Sequence, residues 1–429
     1  MKKLLSIFSF VVIVTLGFPK IIGLNLVPDL KEIVAHINSS EGQTGYSVRI
    51  KNYESGWFSS NVDAYIEYDP YFVTGLDLFN NVFGTSVAIT FQHGPFLTLN
   101  KWSVGRLAFS AELDKSLGRD IFDYPDTASL YDLEGYISLS GAANVVDSVP
   151  VLASFDKTFK LGGWSGQGLF TSNRTTYRGE FHSLGLTIDD AKVRIKPVQL
   201  SVAYDGSFLK IFSDFITDSS TEVIFGYIRA ENRSINEIIE IKNLAVGAYS
   251  GTSDDNQLIN VGLDFSIGHV DIFDYGAKNL MFKTEMKNLD KNTIEKLILA
   301  GEYDLWPDEI DFLPFFKASP ELNISELSGV TTEGNFSGQM VAKLAGINSL
   351  PNDLENPAFW LSKVLIDSTL VLDEQFASWA GMTLLEAQVT DADFLESILR
   401  KNTDEDYEIN FKVKDSEATL NDILIPIPL

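Results

Sequence analysis

The chain has 429 residues, of which 45% are hydrophobic and 21% are charged, a composition that is typical of a folded protein and excludes extensive disorder. Its formal charge of −26 repels phosphate backbones, which argues against a nucleic-acid partner. Because the chain contains no cysteine, it has no thiol nucleophile, disulfide or thiolate metal site.

The N-terminal segment has the features of an export signal, since two lysines precede an apolar run from Leu4 to Pro19. No A-x-A cleavage site follows this run, although cleavage at a poorer site is also compatible with the pattern. We predict that residues 1–24 are kept as a signal anchor or transmembrane helix with the N-terminus inside. The rest of the chain has 30 basic and 59 acidic residues, a charge of −29, and would then lie outside the cytoplasm.

Residues 25–43 are predicted to form a short helical linker. Pro28 is a favourable first residue for a helix. One face of this helix is expected to be apolar, because apolar residues recur at helical spacing. These residues are Leu30, Ile33, Val34 and Ile37.

Residues 44–287 are predicted to form an extended antiparallel β region, because apolar and polar residues alternate there with a period of two. In the first hairpin Val62, Ala64 and Ile66 occupy one face, and the same alternation recurs between later turns. Consecutive strands joined by short turns usually pair with their neighbours, which gives an antiparallel meander. A sheet of about a dozen strands or more must curl, close or bend into a trough.

Residues 288–429 are predicted to form a C-terminal region of helices and a β-hairpin. A helix over residues 290–299 can be capped by Asp290 or by Asn292. A second helix over residues 357–366 has Asn356 as its cap and Pro357 at its first position. Val364 and Leu365 are expected on the apolar face of that second helix.

The last part of the chain contains two further predicted features. Residues 373–401 are expected to form two helical pieces broken around Gly381, and residues 407–425 a closing hairpin. The predicted fold class is therefore mainly β (α+β). It is a long curved antiparallel β-meander with a few short amphipathic helices at the N-terminal and C-terminal ends.

Two compact motifs, "YESGWFSS" at 53–60 and "FQHGPF" at 91–96, invite a functional interpretation. Gly56 suits a turn with positive φ, and Pro95 ends a strand because it cannot donate to the ladder. Gly94 permits a close backbone approach, which leaves His93 to bond a turn carbonyl or a neighbouring strand. The motifs supply the candidate structural or interaction residues, which are Gly56, Trp57, Phe58, Ser59, His93, Gly94, Pro95 and Phe96.

A hydrolytic alternative pairs His93 with Ser59 or Ser60 and with Asp63. Against it, the chain has no G-x-S-x-G elbow; the nearest match is "GWSGQG", in which Gln167 replaces the second glycine. The structural interpretation of His93 is therefore preferred. No i, i+4 histidine pair and no calcium-loop spacing occurs, so we predict no catalytic, cofactor-binding or metal-binding residues.

The two motifs and the segment "LPFFKASPELNISELSGVTTEGNFSG" at 313–338 resemble the YdgA-like family of bacterial envelope proteins. The resemblance covers most of the chain in order, although the middle strands align only by pattern. It implies an uncleaved inner-membrane anchor and a large periplasmic β-rich region. As a family of unknown function, it supplies no catalytic residues.

The function predicted from these features is that of a non-catalytic, membrane-tethered periplasmic protein. Its N-terminal helix lies in the inner membrane, and its curved sheet binds an envelope protein or a lipid-like ligand. The alternative is an envelope hydrolase with a site near His93. The oligomeric state is left open.

Overall fold

The protein is described by a computed structural model in which strands make up 59% and helices 15% of the described residues. Contacts divide the chain into two compact units. Unit 1 comprises Met1–Asp189 and Lys196–Thr217, and unit 2 comprises Asp190–Ile195 and Asp218–Leu429. The residues that the structure describes are 18–39, 45–69, 83–99, 102–207, 216–232, 234–235, 237–253, 257–273, 275–302, 310–351, 353, 356–386, 399–403 and 405–425.

The elements are numbered in chain order. The helices are α1 (Phe18–Ser39), α2 (Lys291–Glu302), α3 (Leu313–Lys317), α4 (Pro357–Leu361) and α5 (Glu374–Glu386). The strands are β1 (Tyr46–Ser55), β2 (Ser59–Tyr68), β3 (Phe83–His93), β4 (Phe96–Leu97), β5 (Ser103–Val104), β6 (Leu107–Leu113), β7 (Phe122–Asp123), β8 (Asp132–Ile137), β9 (Ala143–Val149), β10 (Leu152–Ser154), β11 (Phe159–Leu161), β12 (Trp164–Phe170), β13 (Thr175–Phe181), β14 (Leu184–Ile188), β15 (Ala191–Ile195), β16 (Val198–Tyr204), β17 (Ser219–Asn232), β18 (Glu237–Thr252), β19 (Leu258–Ile272), β20 (Tyr275–Asp290), β21 (Glu321–Thr331), β22 (Gly334–Leu344), β23 (Val364–Leu372), β24 (Arg400–Lys401), β25 (Tyr407–Lys414), β26 (Glu417–Leu420) and β27 (Ile423–Ile425).

Both units are built from antiparallel neighbours. In unit 1 the main ladder runs β1–β2–β3–β6–β8–β9–β12–β13–β16. A smaller ladder runs β7–β10–β11–β14. In unit 2 the ladder runs from β15 to β17 and then through β18, β19, β20, β21, β22, β23, β25, β26 and β27. The predicted fold class, mainly β and antiparallel with a few short helices, is confirmed.

Helix α1 forms the main core of unit 1 with the strands beneath it. Its residue Leu26 is buried together with Val62, Phe91 and Leu107. Ile22 and Leu30, one helical turn on either side of Leu26, pack against the same cluster. A second buried cluster, around Tyr124, Leu152 and Leu161, joins the smaller ladder to its connecting segments.

The start of α1 corrects one prediction. The described helix begins at Phe18 and contains Pro28 in its interior, so the predicted start at Pro28 is wrong. Burial of Gly23 and Leu26 supports helix upstream of the proline, and this packing overrides the local signal. Within the described residues, no helix combines the length and apolar character needed to cross a membrane. Residues 1–17 of the predicted anchor lie outside the described part of the chain.

The C-terminal helices follow the predictions in part. Helix α2 matches the predicted 290–299 helix, and Asp290 Oδ1 accepts from Thr293 N at 2.8 Å as a cap. Asn356 caps α4 as predicted, but the helix ends at Leu361. Val364 and Leu365 lie in β23, where an alternating β-branched sequence pairs with β22 and β25.

Two predictions near the end of the chain also need correction. Helix α5 passes through Gly381 without a break, because a single glycine is tolerated in a helix. The second predicted helical piece falls on residues 387–398, outside the described residues. The closing hairpin returns as two short strands, β26 and β27, because Asn421 and Asp422 both have positive φ between them.

The predicted segments and the two units divide the chain on different grounds. The segments follow changes in secondary-structure pattern, whereas the units follow packing. The predicted 44–287 segment therefore contributes strands to both units.

Candidate functional site

The two sequence motifs meet at one corner of unit 1. The turn between β1 and β2 is closed by Gly56 N donating to Ser59 O at 2.8 Å. The end of β3 joins this turn, because His93 N donates to Phe58 O at 2.7 Å. Gly94 N then donates to Arg106 O at 2.7 Å, which ties the next residue to the start of β6. The corner is therefore a hydrogen-bonded junction between a turn and a strand end.

The glycines of this corner are required by close backbone approaches. A Cβ at Gly94 would lie 1.8 Å from Gly105 O, which confirms the predicted close approach. A Cβ at Gly56 would lie 2.7 Å from Ser59 O. The expected positive φ at Gly56 is wrong, since its φ does not lie in the left-handed region. Glycine is needed at position 56 because a side chain would clash with Ser59 O, and not because the backbone has a left-handed conformation. The peptide bond between Gly94 and Pro95 is cis.

His93 lies in the interior of the corner and contacts a serine. Its Nε2 is 3.0 Å from Ser60 Oγ, and its Nδ1 is 3.3 Å from Trp57 O. Because a carbonyl can only accept, Nδ1 carries the proton and Nε2 accepts from the Ser60 hydroxyl. Ser60 and His93 are 1% and 2% exposed. The predicted bond from His93 to a turn carbonyl is confirmed.

Helix α1 covers this pair. Tyr53 Oη is 3.0 Å from Ser60 Oγ and 3.1 Å from Gly23 O, so the tyrosine links strand, serine and helix. Gly23 itself lies against the imidazole, since a Cβ there would be 2.5 Å from His93 Cε1. Pro19 is also buried. The polar chain of Tyr53, Ser60 and His93 is thus sealed beneath the first turns of α1.

Burial keeps His93 neutral. Desolvation lowers the pKa of His93 from its ordinary value, and the Lys20 ammonium acts in the same direction. Hydrogen bonds to the carbonyls of Trp57 and Pro19 oppose that decrease. A neutral imidazole fits the Nδ1–H contact with Trp57 O and the Nε2 contact with the Ser60 hydroxyl.

The Ser60–His93 pair lacks the other parts of a hydrolytic site. Asp63, the predicted third member, is exposed on the opposite face of β2, and Ser59 is exposed as well. The turn carbonyl of Trp57 stands where a triad would place a carboxylate. A cavity of about 470 Å³ lies beside α1, but Tyr53, which lines it, separates it from Ser60. The other lining residues are Val27, Leu30, Lys31, Val34, Ala35, Asn38 and Ile50.

The aromatic members of the motifs face outward. Trp57, Phe58 and Phe96 are exposed, whereas Leu97, next to Phe96, is fully buried. The corner therefore combines a closed polar interior with an exposed aromatic exterior.

Sequence reasoning missed a second buried polar cluster in unit 1. Asp147 is buried and accepts from Trp164 Nε1 at 2.8 Å, Tyr177 Oη at 2.8 Å and Tyr131 Oη at 3.2 Å. Burial and the neighbouring Asp147 carboxylate raise the pKa of both tyrosines, so they remain proton donors. The sequence signal was Asp147 itself, an acid on a strand among valines.

Glycines make room for this cluster. Gly166 pairs with Asp147 across the ladder and with Gly179 on the other side. A Cβ at Gly166 would lie 2.1 Å from both Asp147 Oδ1 and Tyr177 Oη, and one at Gly179 would lie 1.9 Å from Trp164. The "GWSGQG" segment, which resembles a nucleophile elbow, therefore serves packing.

Unit 2 presents a different feature, a continuous apolar sheet face. Register places apolar side chains opposite one another from β17 to β25, and side chains directly opposite share a face. This apolar face consists of Val223, Phe225, Leu244, Val246, Leu263, Phe265, Ile267, Leu280, Phe282, Leu322, Ile324, Leu327, Met340, Ile366, Leu370, Ile409 and Phe411.

The apolar face is only partly covered by the described residues. Each of its members keeps some solvent exposure, and Leu263 is 42% exposed. Helix α5 contacts β22 near the end of the face, where Phe376 lies 5.1 Å from Phe336 between ring centroids. The large side chains are thus shielded mainly by their neighbours on the same face.

The opposite face of the unit 2 sheet is polar and carries ion pairs. Lys283 Nζ lies 2.8 Å from Glu326, and Lys287 Nζ lies 3.3 Å from Glu285. Among the described residues, no group of three or more His, Asp or Glu side chains is arranged to hold a metal ion. The two faces of this sheet therefore differ sharply in polarity.

The comparisons with known proteins give a family and no activity. A family model described as "Bacterial protein of unknown function (DUF945)" matches residues 1–302 and 309–428. The chain belongs to this family. The resemblance inferred from the motifs is thereby confirmed as membership of a bacterial family of unknown function. No curated protein and no solved structure matches the chain.

Proposed function

We propose that the protein is a non-catalytic, membrane-tethered periplasmic protein that binds a lipid-like ligand on the apolar face of unit 2. The observation that supports binding is the partial exposure of every member of that face. Eight strands spaced about 4.8 Å apart, over about six residues each, give a face of roughly 34 Å by 20 Å. Exposed apolar patches of this size usually serve an interaction.

The chemistry of the face favours hydrocarbon chains over a protein partner. Its members are Leu, Ile, Val, Phe and Met side chains, which have no hydrogen-bonding groups, and the register places two hydroxyl side chains, Thr284 and Ser368, among them. Protein interfaces carry about one hydrogen bond per 100–200 Å². Acyl chains require no such bonds and gain from contact with flexible apolar side chains.

The N-terminal sequence supports the tether. Two lysines and an apolar run precede Phe18, the first described residue of α1. A short apolar segment with lysines before it favours an N-terminus on the cytoplasmic side. The acidic remainder of the chain would then be exported, and its charge disfavours flat adsorption on anionic headgroups.

A photocrosslinking experiment in bacterial cells tests the ligand. Position 263 on the apolar face and position 341 on the polar face match in exposure, since Leu263 is 42% and Val341 is 40% exposed. In two variants of the full chain, p-benzoylphenylalanine replaces one or the other residue. We expect adducts of lipid mass at position 263 and none at position 341.

The other outcomes decide against the proposal. A discrete protein adduct at position 263 would replace the lipid with a protein partner. Equal labelling at both positions, or no adduct at position 263, would overturn ligand binding by this face.

A second variant, Leu263→Glu, should keep the fold because the site is exposed, and it should remove co-purified lipid. Val341→Glu is its matched control.

One observation favours a second candidate, an envelope hydrolase, because Ser60 Oγ lies within hydrogen-bond distance of His93 Nε2. A nucleophile must be reached by its substrate, and this serine is buried beneath α1. We expect no labelling of the native protein by a fluorophosphonate probe. Labelling that disappears in Ser60→Ala, while Ser59→Ala still reacts, would establish the hydrolase instead.

A further inference from the structure

The turns at one end of the strands of the unit 1 sheet carry exposed aromatic side chains. Register shows that several turns lie at this end: Ser55 pairs with Ser60, His93 with Leu107, and Ile137 with Ala143. The turns between β1 and β2, β3 and β6, and β8 and β9 are therefore neighbours. We call this the aromatic edge; its exposed members are Trp57, Phe58, Phe96, Leu99, Trp102 and Leu139.

The exposure of this edge is high for its composition. Trp102 is 72% exposed and Phe96 is 56% exposed, although aromatic side chains of this size are usually largely buried. Trp102 lies beside the β4–β5 hairpin, in which Phe96 pairs with Val104. The buried neighbour Leu97 holds this hairpin on the unit. The outward aromatics are thus presented on a packed support.

Helix α1 begins at the same edge. Near its C-terminus, Asn38 Nδ2 donates to Val48 O, and Asn38 Oδ1 accepts from Val48 N, close to the start of β1. Near its N-terminus, Gly23 contacts His93 at the other end of the strands. The apolar run that precedes Phe18 therefore enters α1 beside the aromatic edge. Lys20 Nζ lies 5.9 Å from the centroid of the Trp57 ring there.

We propose that the aromatic edge inserts into the interfacial layer of the membrane that the N-terminal segment enters. This inference rests on the proposed tether and adds an orientation to it. Trp and other aromatic side chains concentrate at the boundary between headgroups and acyl chains, because they combine an apolar body with a polar tip. Lys20 contributes the positive charge that favours anionic headgroups.

The position of the N-terminal segment selects a membrane as the occupant of this edge. An anchor that precedes α1 joins the protein at this edge and therefore holds the edge close to the lipid surface. Insertion buries the apolar area of Trp57, Phe58, Phe96 and Trp102, at about 25 cal/mol per Å². End-on contact also keeps most of the acidic surface away from the headgroups. A protein partner is the competing occupant.

The absence of cysteine in the sequence makes a depth measurement straightforward. Trp102→Cys on the aromatic edge and Phe155→Cys beyond the opposite end of β9 are each labelled with an environment-sensitive fluorophore. Phe155 is 61% exposed, so the control position is also open to a probe. The full chain is reconstituted in vesicles of phosphatidylethanolamine and phosphatidylglycerol that contain nitroxide-labelled lipids.

We expect a blue shift and nitroxide quenching at position 102 and neither at position 155. Unchanged thermal unfolding of both labelled variants verifies the fold. Resistance of the full chain to alkaline extraction tests the tether separately. A resistant chain without quenching at position 102 would overturn the inserted edge and leave the tether standing. An extractable chain would overturn both. A blue shift without nitroxide quenching would mean that protein, such as a second copy, covers the edge.

Discussion

Unit 1 buries its apolar side chains beneath helix α1, whereas unit 2 leaves a face of similar composition partly open. In unit 1, Val62, Phe91 and Leu107 are closed off by Leu26 of the helix. In unit 2, strands of up to 16 residues carry Phe265 and the rest of the apolar face with solvent access along the sheet. The difference lies in the covering layer and not in the strands.

The described helices of unit 2 are all shorter than α1, and the two longest, α2 and α5, have 12 and 13 residues. Helix α1 has 22 residues and presents a regular apolar stripe to the sheet. Helices α3 and α4 have five residues each, and they pack on each other through Phe316 and Trp360, whose ring centroids are 5.0 Å apart. Within the described residues, the antiparallel sheet of unit 2 therefore keeps one partly open apolar face.

The largest expected effect compares matched phenylalanines in the two units. Phe91→Ala in unit 1 should cost about 3–5 kcal/mol, because the ring is 6% exposed and its removal leaves a cavity. Phe265→Ala on the apolar face should cost about 1–2 kcal/mol, since the ring is already partly hydrated. Denaturant unfolding, followed by probes in each unit, measures both. Equal costs would mean that the apolar face is as enclosed as the core.

A second prediction tests the buried polar cluster of unit 1. Asp147→Ala removes the acceptor of three donors. Each buried donor left unsatisfied costs about 1–3 kcal/mol, and local rearrangement offsets part of this, so the free energy of unfolding should fall by about 3 kcal/mol. Asp147→Asn keeps one acceptor oxygen and should cost less. Thermal unfolding of both variants gives the comparison. A neutral Asp147→Ala would show that water replaces the carboxylate.

A third prediction concerns His93 and pH. Well above the ordinary histidine pKa of about 6.5, neither the folded nor the unfolded chain protonates this histidine to a significant extent. Below that value the unfolded chain gains a proton that the folded chain resists, because burial lowers the pKa of His93, and stability falls. His93→Ala should cost about 1–3 kcal/mol at pH 8, and His93→Gln should recover much of this by restoring polar contacts.

A pH profile distinguishes the titration of His93 from a general loss of stability in acid. The stability gap between the native chain and His93→Gln should narrow from pH 8 to pH 5.5, since the variant lacks the titrating group. His182→Gln, at an exposed histidine, controls for the loss of one imidazole. A gap that widens on acidification would mean that the folded corner stabilises the protonated ring.

The strands could be predicted from the sequence because their signal is local. Alternation of Val62, Ala64 and Ile66 with polar residues is a property of the strand itself, and burial of Val62 and Ala64 follows it. The helix boundaries could not be predicted in the same way. Pro28 indicates a helix start locally, but packing of Gly23 and Leu26 on the sheet extends the helix upstream.

The candidate site was predictable as a corner and not as a set of contacts. Gly94 and Pro95 indicated a strand end, and the structure brings His93 to the Trp57 turn as expected. The contact between Ser60 and His93 could not be predicted, because it depends on the register of β2 against β3. It also depends on which face of β2 points inward, and the structure places Ser60 inward and Ser59 outward. Asp147 was missed because its three donors come from other segments, so no local pattern contains the cluster.

The smallest expected effect lies on the polar face of unit 2. Lys283 and Glu326 form an ion pair there, and hydrogen bonding and attraction to Glu326 raise the pKa of Lys283. Both side chains remain well hydrated, so screening by salt weakens their interaction. Lys283→Met should therefore leave the thermal midpoint of unit 2 nearly unchanged at physiological salt, with a small decrease that appears only at low salt. Glu222→Gln, an exposed change on β17, controls for altered net charge. A large loss at high salt would show that the polar face is buried against another surface, and the contrast between an open and a closed unit would fail.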